Sequence, residues 1–490
     1  MFPAPSFGLP PSRRDLLART GYGVGAIGLA AVLGSNTRAA EPAARPLAAR
    51  KPHFPAKAKR IIHLWMNGGP SQVDTFDPKP ALEKFAGQRP ESTAKLTTER
   101  TTRGLLPSPF KFTPHGKSGL EISELFPHVA RHADKLCVVR SMHTNVPVHE
   151  ASNWMMFTGN VQPVRPAYGS WLLYGLGSEN ENLPGFVVLG EGQPVNGPSN
   201  WSSRFLPGIY QGCQVVLPVN YQPRDVLANL QNAQLAPASQ RRQLDFTQQL
   251  NALHRDRIGA DNALDARIES LELAFRMQAS AADAFDIGRE PEKVRDMYGL
   301  TGPDADTSAK TNGGFSRATF ARNCLLARRL AERGVRVVQI YCGNLQPWDT
   351  HDKNAEGHRQ LARVVDRPIA ALLADLDQRG LLDDTLVVFS TEFGRTSFAQ
   401  GTLKSNFGRD HHGGNFCVFM AGGGVKAGAT YGETDEFGYN IVKDGVHIHD
   451  LNATILYAAG IDHDRLTFRS QGRDFKLTDV SGKVVKGVFA

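Results

Sequence analysis

The chain has 490 residues, 41% of them hydrophobic, and a formal charge of +8 at neutral pH. That length allows one large α/β domain with insertions or two to three average domains, with ample apolar material for a core. The first forty residues hold Arg13, Arg14, Arg19 and Arg38 against Asp15, leaving about +5 spread thinly over the rest; this argues against nucleic acid as a partner and suits an anionic substrate.

In chain order the first signal is "SRRDLL" at 12–17, followed by the mildly apolar "GYGVGAIGLAAVLG" and then "NTRAAE". Paired arginines, a weak apolar segment and small residues describe a twin-arginine export signal over 1–40, cut near Ala39 or Ala40. It predicts delivery to the periplasm or cell surface, already folded, through the twin-arginine export machinery. No apolar run after it has the length of a transmembrane helix, so no stable membrane span is expected once it is removed. Residues 41–59 are rich in Pro, Ala and Lys and read as a linker. The cysteines, Cys137, Cys213, Cys324, Cys342 and Cys417, are odd in number and widely spaced without a CxxC. They indicate neither a disulfide framework nor a zinc ribbon, and several, in apolar stretches such as "KLCVV" and "NFCVF", read as buried, inert thiols.

From residue 60 onward, short continuous apolar runs alternate with helical patterns. "RIIHLWM", "KLCVVRSM", "GFVVLGEG", "VRVVQIYC", "DTLVVFS" and "FCVFMAGGG" read as buried strands bounded by turn residues. A polar helical insertion is expected over about 222–310, its clearest part 222–290, where Leu264, Ile268, Leu271 and Phe275 share one helical face. "ADTSAKTNGG" is a loop, "FARNCLLARRLAERG" a helix ending at Gly334, and "HRQLARVVDRPIAALLADLDQRG" a helix ending at Gly380 and kinked at Pro368. "DLNATILYAAG" is a further helix, and "TDVSGKVVKGVF" reads as a closing hairpin. The fold class is therefore α/β, a mostly parallel central sheet with helices on both faces.

In such sheets ligands gather at the carboxyl ends of the strands. The residues that follow each run there are chemically loaded. After the first come Asn67-Gly68-Gly69-Pro70-Ser71 and Asp74; after the second, His143, Thr144, Asn145 and His149. After "VRVVQIYC" come Asp349 and His351, and after "LVVFS", Thr391, Glu392 and Arg395. Immediately before "FCVFM" stands Asp410-His411-His412. Asp349 and His351 are two apart, so an extended segment aims both the same way; the same spacing pairs Asp410 with His412 and turns His411 elsewhere. Each element alone is an ordinary loop, a capping Asp with a surface His. Together they predict a divalent metal site, zinc or manganese for mixed carboxylate and imidazole ligands, calcium if oxygens dominate. His447 and His449 precede a helix with Asp450 as its cap and read as structural. Glu356 and His358 read as the solvated start of a helix. "AGGGVKAG" lacks the lysine and hydroxyl of a phosphate loop and is a turn.

The segments "MNGGPSQVDTFDPKP", "VRSMHTNVPVHEASNWMMFTGN", "WDTHDKN", "LLDDTLVVFSTEFGRT", "GRDHHGGNFCVFMAGGGVKAG" and "DLNATILYAAGIDHDRL" resemble the exported domain-of-unknown-function family numbered fifteen hundred and one, over about 60–490. That family is grouped with sulfatases in the alkaline-phosphatase-like superfamily. The resemblance implies an alkaline-phosphatase-like sandwich with a metal centre at the strand ends, and hydrolysis or transfer of sulfate or phosphate esters. The superfamily's first-strand Asp is matched here by Asn67, with Asp74 a stand-in; its nucleophile by Thr144, with Ser141 a rival. Its Asp and His fall on Asp349 and His351, and its later Asp-His-Gly on Glu392-Phe393-Gly394. Its final His falls on His411 or His412. The Cys-x-Pro-x-Arg segment that sulfatases convert to an aldehyde is absent: Cys137-Val138-Val139-Arg140 lacks the proline.

The expected function is an exported metal-dependent hydrolase of sulfate or phosphate esters. Asp349, His351, Asp410 and His412 are the expected ligands, with His411, Glu392, Asp74 and His149 as further members of the shell. Thr144, Ser141 or a metal-activated water attacks, and Arg140 or Arg395 holds the anionic group. The competing reading is a non-catalytic relative that binds a sulfated polysaccharide or a surface partner. An exported redox enzyme is disfavoured, since "HIH" is the sole His-x-His pair and no GxGxxG follows the first strand.

Overall fold

The computed structural model describes residues 45–93, 102–190, 192–217, 235–258, 262–301, 316–400 and 406–490. The segment read as an export signal, the stretch 305–314 read as a loop and the beginning of the expected helical insertion lie outside the described residues.

The apolar runs form one nine-stranded sheet. Its strands are β1 (Arg60–Trp65), β2 (Leu136–His143), β3 (Phe186–Leu189), β4 (Cys213–Val215), β5 (Val337–Tyr341), β6 (Thr385–Ser390), β7 (Phe416–Ala421), β8 (Ala429–Tyr431) and β9 (Val446–His447). They lie in the order β8-β2-β7-β6-β1-β5-β3-β4, with β9 also paired to β2. All these pairings are parallel except those of β7, which runs antiparallel to both β2 and β6. That single reversal matters for the site. It brings the beginning of β7, where Asp410-His411-His412 sits, to the same edge at which the parallel strands end.

The longer helices are α1 (His149–Thr158), α2 (Tyr168–Leu176), α3 (Pro237–Ile258), α4 (Asn262–Phe285), α5 (Arg317–Glu332), α6 (Asn354–Gln378) and α7 (Ile448–Ala458). Side chains of a strand alternate between the faces of its sheet. In β1, Ile62 and Leu64 accordingly join one core with the apolar faces of α5 and α6, while Ile61 and Trp65 join another with α1, α2 and α7. Burial on both sides is why these strands read as unbroken apolar runs. His63 is the polar exception in β1, fully buried and held by Tyr168 Oη at 2.9 Å and Ser390 Oγ at 2.5 Å. Among the described residues no helix is long and apolar enough to cross a membrane.

Four local expectations change. The α4 face predicted as buried is Leu264, Ile268, Leu271 and Phe275, but Leu271 is 46% exposed and Arg241 of α3 lies over the Phe275 ring. The side of α4 that enters the core carries Ala266, Leu273, Met277, Ala281 and Ala284 instead. The C-terminal hairpin forms at Phe468–Ser470 with Arg473–Phe475, because Gln471 and Gly472 both adopt positive φ, the geometry of a tight hairpin turn. The chain after it ends in a short turn of 3₁₀-helix at Lys486–Val488. The stretch 45–59, read as a linker, is tied to the body through bonds such as Arg50 N to Leu176 O and His53 N to Gly460 O. Finally, His447 rather than Asp450 is the N-cap of α7; Asp450 completes a capping box from the third helical position.

Candidate metal centre

The parallel strands deliver their loops to one rim. β1 runs into Gly68-Gly69, whose φ angles of 112° and 81° let the chain turn tightly against the loop after β5. A Cβ on Gly68 would lie 2.7 Å from the backbone nitrogens of Trp348 and Asp349, so only glycine allows this close approach. The β5 loop then presents Asp349 and His351, the β6 loop Glu392 and Arg395, and the start of α1 presents His149.

Asp349 is the hub. Its Oδ1 lies 3.0 Å from His351 Nε2 and 3.2 Å from His411 Nε2, and its Oδ2 lies 3.5 Å from His149 Nε2. His351 Nε2 and His411 Nε2 are 3.0 Å apart. The outer nitrogen of each ring is tied to an acceptor: His149 Nδ1 to Glu392 Oε1 at 2.7 Å, His351 Nδ1 to Gln400 Oε1 at 2.7 Å, and His411 Nδ1 to the Pro147 carbonyl at 2.9 Å. A neutral imidazole that donates from Nδ1 keeps a lone pair on Nε2. Three lone pairs and a carboxylate thus face one another. His149 Nε2 is buried and makes no hydrogen bond there. Such a donor-poor arrangement calls for a cation, and His149, Asp349 and His411 alone place three ligand atoms within 4.8 Å of one another. The residues therefore fit a divalent metal.

The electrostatics agree. Burial opposes the charged form of Asp349, yet the close imidazoles of His149, His351 and His411 and the Arg395 charge hold its carboxyl far below the usual range. Burial lowers the His149 imidazole, but Asp349 and Glu392 outweigh it and lift the group to about 9, so that a proton takes the central place whenever no metal cation holds it. Burial and the nearby Arg395 and His149 charges push His411 down. The cluster demands positive charge at its centre.

Several expected members lie elsewhere. His412 Nε2 meets the Tyr439 carbonyl at 2.8 Å and its ring stacks on Tyr439, so His411, not His412, faces the cluster. The cause is register: His411 lies opposite Arg395 and His412 opposite Gly394, and cross-strand partners share a face. Asp410 is fully buried behind the imidazoles, 3.7 Å from His351 Nδ1 and accepting from the His411 N–H. Glu392 is occupied by Gly68 N–H and His149, so it orients an imidazole rather than offering a ligand atom. Asp74 is locked in a buried two-point pair with Arg409, at 2.8 and 3.0 Å, plus a bond from Asn354. Asn67 turns its amide to the Leu345 carbonyl.

The expected anion-holders and nucleophiles fare similarly. Arg395 is in the cluster, but its donors go to Asp349, Gly68 O and Gly69 O, leaving it to pin the hub. Arg140 donates to the Phe76 carbonyl, beside Asp77. Ser141 donates to the Asp444 carbonyl, and Thr144 is buried with its N–H on the Gly413 carbonyl. Cys137 lies in β2 and burial lifts its thiol to about 11. His358, expected on a solvated helix start, is fully buried and accepts the Ser71 N–H at 3.0 Å. Gln400, the Pro147 carbonyl and Gln346, which donates to Asp349 Oδ2 at 3.1 Å, are partners that no sequence pattern marked. Lys353 was readable beside "WDTH". It is exposed and, with Asp349, Gln346 and Leu345, lines a cavity of about 490 Å³.

With the geometry in hand, comparison with known proteins adds the following. The family described as "Protein of unknown function (DUF1501)" matches residues 58–489. No curated protein matches the chain. Among solved structures the chain is similar to the PsFucS1 sulfatase from Pseudoalteromonas sp., with 13% identity, 84% of this chain and 68% of that chain covered, and a TM-score of 0.34. It is similar to the phosphonate monoester hydrolase SpPMH from Silicibacter pomeroyi, with 13% identity, 71% of each chain covered and a TM-score of 0.32. It is also similar to the lipoteichoic acid synthase LtaP from Listeria monocytogenes, with 7% identity, 92% and 80% covered and a TM-score of 0.33.

Proposed function

Since the chain belongs to the DUF1501 family, whose function is unknown, its chemistry has to be argued from its own residues, and we propose that it is a metal-dependent hydrolase of sulfate or phosphate esters. The observation that carries this reading is the set of inward-facing Nε2 atoms of His149, His351 and His411 around the Asp349 carboxylate.

His149, Asp349 and His411 would hold the metal, three protein ligands being the number usual in catalytic rather than structural sites. A divalent ion there would supply Lewis acidity toward an ester oxygen and would acidify water near neutral pH. Glu392 and the Pro147 carbonyl orient the two ligand imidazoles, and Arg395 fixes the carboxylate. His351, held from behind by Gln400 with Asp410 nearby, offers Nε2 to the same centre and takes the proton of the attacking water. Among the described residues no hydroxyl or thiol is one of the groups that converge on Asp349, which favours water over Thr144 or Ser141 as nucleophile. The cavity beside Asp349 receives the ester, with the Lys353 ammonium meeting its anionic group.

The test is metal analysis of the purified protein joined to turnover of aryl sulfate and aryl phosphate. Asp349→Ala is expected to lose both bound metal and turnover; unchanged turnover in that variant overturns the assignment. The Arg13-Arg14 segment supports export by the twin-arginine route to the periplasm or cell surface. Arg13→Lys with Arg14→Lys is expected to retain the protein inside the cell, and continued export refutes this part.

A further inference from the structure

The loop between β5 and α6, which delivers Asp349 and His351, also holds two residues in a backbone conformation that side chains avoid. Among the described residues seven non-glycine residues have positive φ. Two of them, Leu345 at 52° and Lys353 at 47°, line the same cavity of about 490 Å³ beside Asp349. In this left-handed region a Cβ crowds the following carbonyl oxygen, so glycine and asparagine sit there with ease and leucine does not. The Leu345 backbone is pinned from both sides: its N–H donates to the Gln193 carbonyl at 2.9 Å, and its carbonyl accepts from the Asn67 amide. Gln346, next in the chain, donates to Asp349 Oδ2 at 3.1 Å, which ties this corner to the hub of the metal centre.

A single exposed leucine is ordinary on a protein surface. Leu345 differs, because it is 59% exposed in a conformation that Asn or Gly would adopt without strain. It gives up folding free energy and gains no burial in return, and strain of that kind gathers where a ligand is gripped. The rest of the cavity indicates which part of a ligand lies there. Asn344 Oδ1 accepts the Gln193 N–H, Thr350 donates to Asn354, and Glu356 accepts from Gln360, so these polar groups are engaged within the protein. Pro347 adds to the apolar wall beside Leu345. Lys353 and Asp352 are the exposed charges next to each other on the same wall. One cation suits one anionic group, and the Asp352 carboxylate repels a second, which makes a multiply charged polymer the poorer fit.

We propose that Leu345 is a specificity-determining residue of the metal site: it selects esters whose organic group is apolar and uncharged, that group lying on Leu345 and Pro347 while the anionic end meets Lys353. The inference rests on the metal centre of the hydrolytic reading for the place of the anionic end, and adds to that reading the class of the organic group.

The experiment titrates the zinc-loaded full-length protein with phenylphosphonate, methylphosphonate and 2-hydroxyethylphosphonate, anions that carry no ester to hydrolyse. It compares the wild type with Leu345→Asn and Leu345→Gly, both suited to positive φ, by calorimetry and thermal unfolding. The wild type is expected to bind phenylphosphonate about tenfold more tightly than the other two, the gain for covering part of one ring. That preference is expected to disappear in both variants, with bound zinc as in the wild type and the Leu345→Asn unfolding temperature equal or higher. A phenyl preference kept in Leu345→Asn, a lower unfolding temperature in that variant, or a wild type that binds the three anions alike or not at all overturns the proposal. Because binding is read on phosphonates, absence of ester turnover in every protein refutes the hydrolase reading and leaves the Leu345 assignment standing. Ester turnover with an unaltered phenyl preference in the variants does the reverse.

Discussion

Replacing Glu392 by Gln tests the metal centre without touching a ligand. In the wild type Glu392 Oε1 accepts from His149 Nδ1 and from Gly68 N, each at 2.7 Å, and Oε2 lies 2.9 Å from Thr391 Oγ1. A glutamine keeps the shape: its carbonyl oxygen takes both N–H groups and its amide nitrogen faces the threonine hydroxyl. What it removes is one negative charge. Across the width of the imidazole and a metal–nitrogen bond of about 2.1 Å, that charge sits about 7 Å from the cation. At an effective dielectric of about 20, this is worth about 2 kcal/mol per unit of cation charge. For a divalent ion the product is about 5 kcal/mol, an upper bound; the loss usual when a carboxylate behind a ligating histidine is removed is about ten- to hundredfold, and that smaller range sets the expectation. Titration of zinc or manganese in competition with a chelator measures it directly, with thermal unfolding of the metal-stripped proteins as the control for folding. We expect the variant to bind metal about 10–100 times more weakly with metal-free stability close to wild type. Equal metal affinity in the two proteins would refute the role given to His149 and, with it, the geometry of the centre.

Other outcomes follow from the same structure. His351→Gln is expected to retain metal while kcat falls by about 10²–10⁴; loss of metal instead makes His351 a ligand. His412→Ala should leave metal affinity unchanged, since that ring serves Tyr439, and a loss of metal there contradicts the register described above. Asp74→Ala strands the Arg409 guanidinium in the interior and should cost about 3–5 kcal/mol in chemical denaturation, with no specific effect on metal affinity; a change under about 1 kcal/mol contradicts the buried pair. Burial holds His63 at about 3 and His358 at about 4 in the folded protein. The unfolded chain therefore binds protons below about pH 6.5 that the folded one refuses, so stability present above that pH falls as acid is added. Each histidine contributes about 1.4 kcal/mol per pH unit between there and its folded value, and a flat stability from pH 7 to 5 would refute it.

The sheet was legible because strands covered on both faces leave continuous apolar runs, and the rim was legible because chemically loaded residues follow those runs. Asp349 and His351 emerge together as their spacing requires. The choice between His411 and His412 was not legible. It depends on which residue lies opposite Arg395, a pairing across sixteen positions that spacing within "DHH" cannot supply. The same blindness applies to Asp74. Its carboxylate looks available in the sequence, yet Arg409, far along the chain, consumes both of its oxygens.

These failures share a cause. Local spacing determines which way a side chain leaves the backbone, but a ligand is defined by what else does not bond to it. His149 counts because its Nε2 has no hydrogen-bond partner, and Glu392 drops from ligand to support because Gly68 and His149 already occupy it. Both facts are sums over partners from distant loops. The β7 reversal shows the converse: an antiparallel strand in a parallel sheet puts a strand's start where ends are sought. A search confined to strand ends would have discarded His411, the imidazole that closes the cluster.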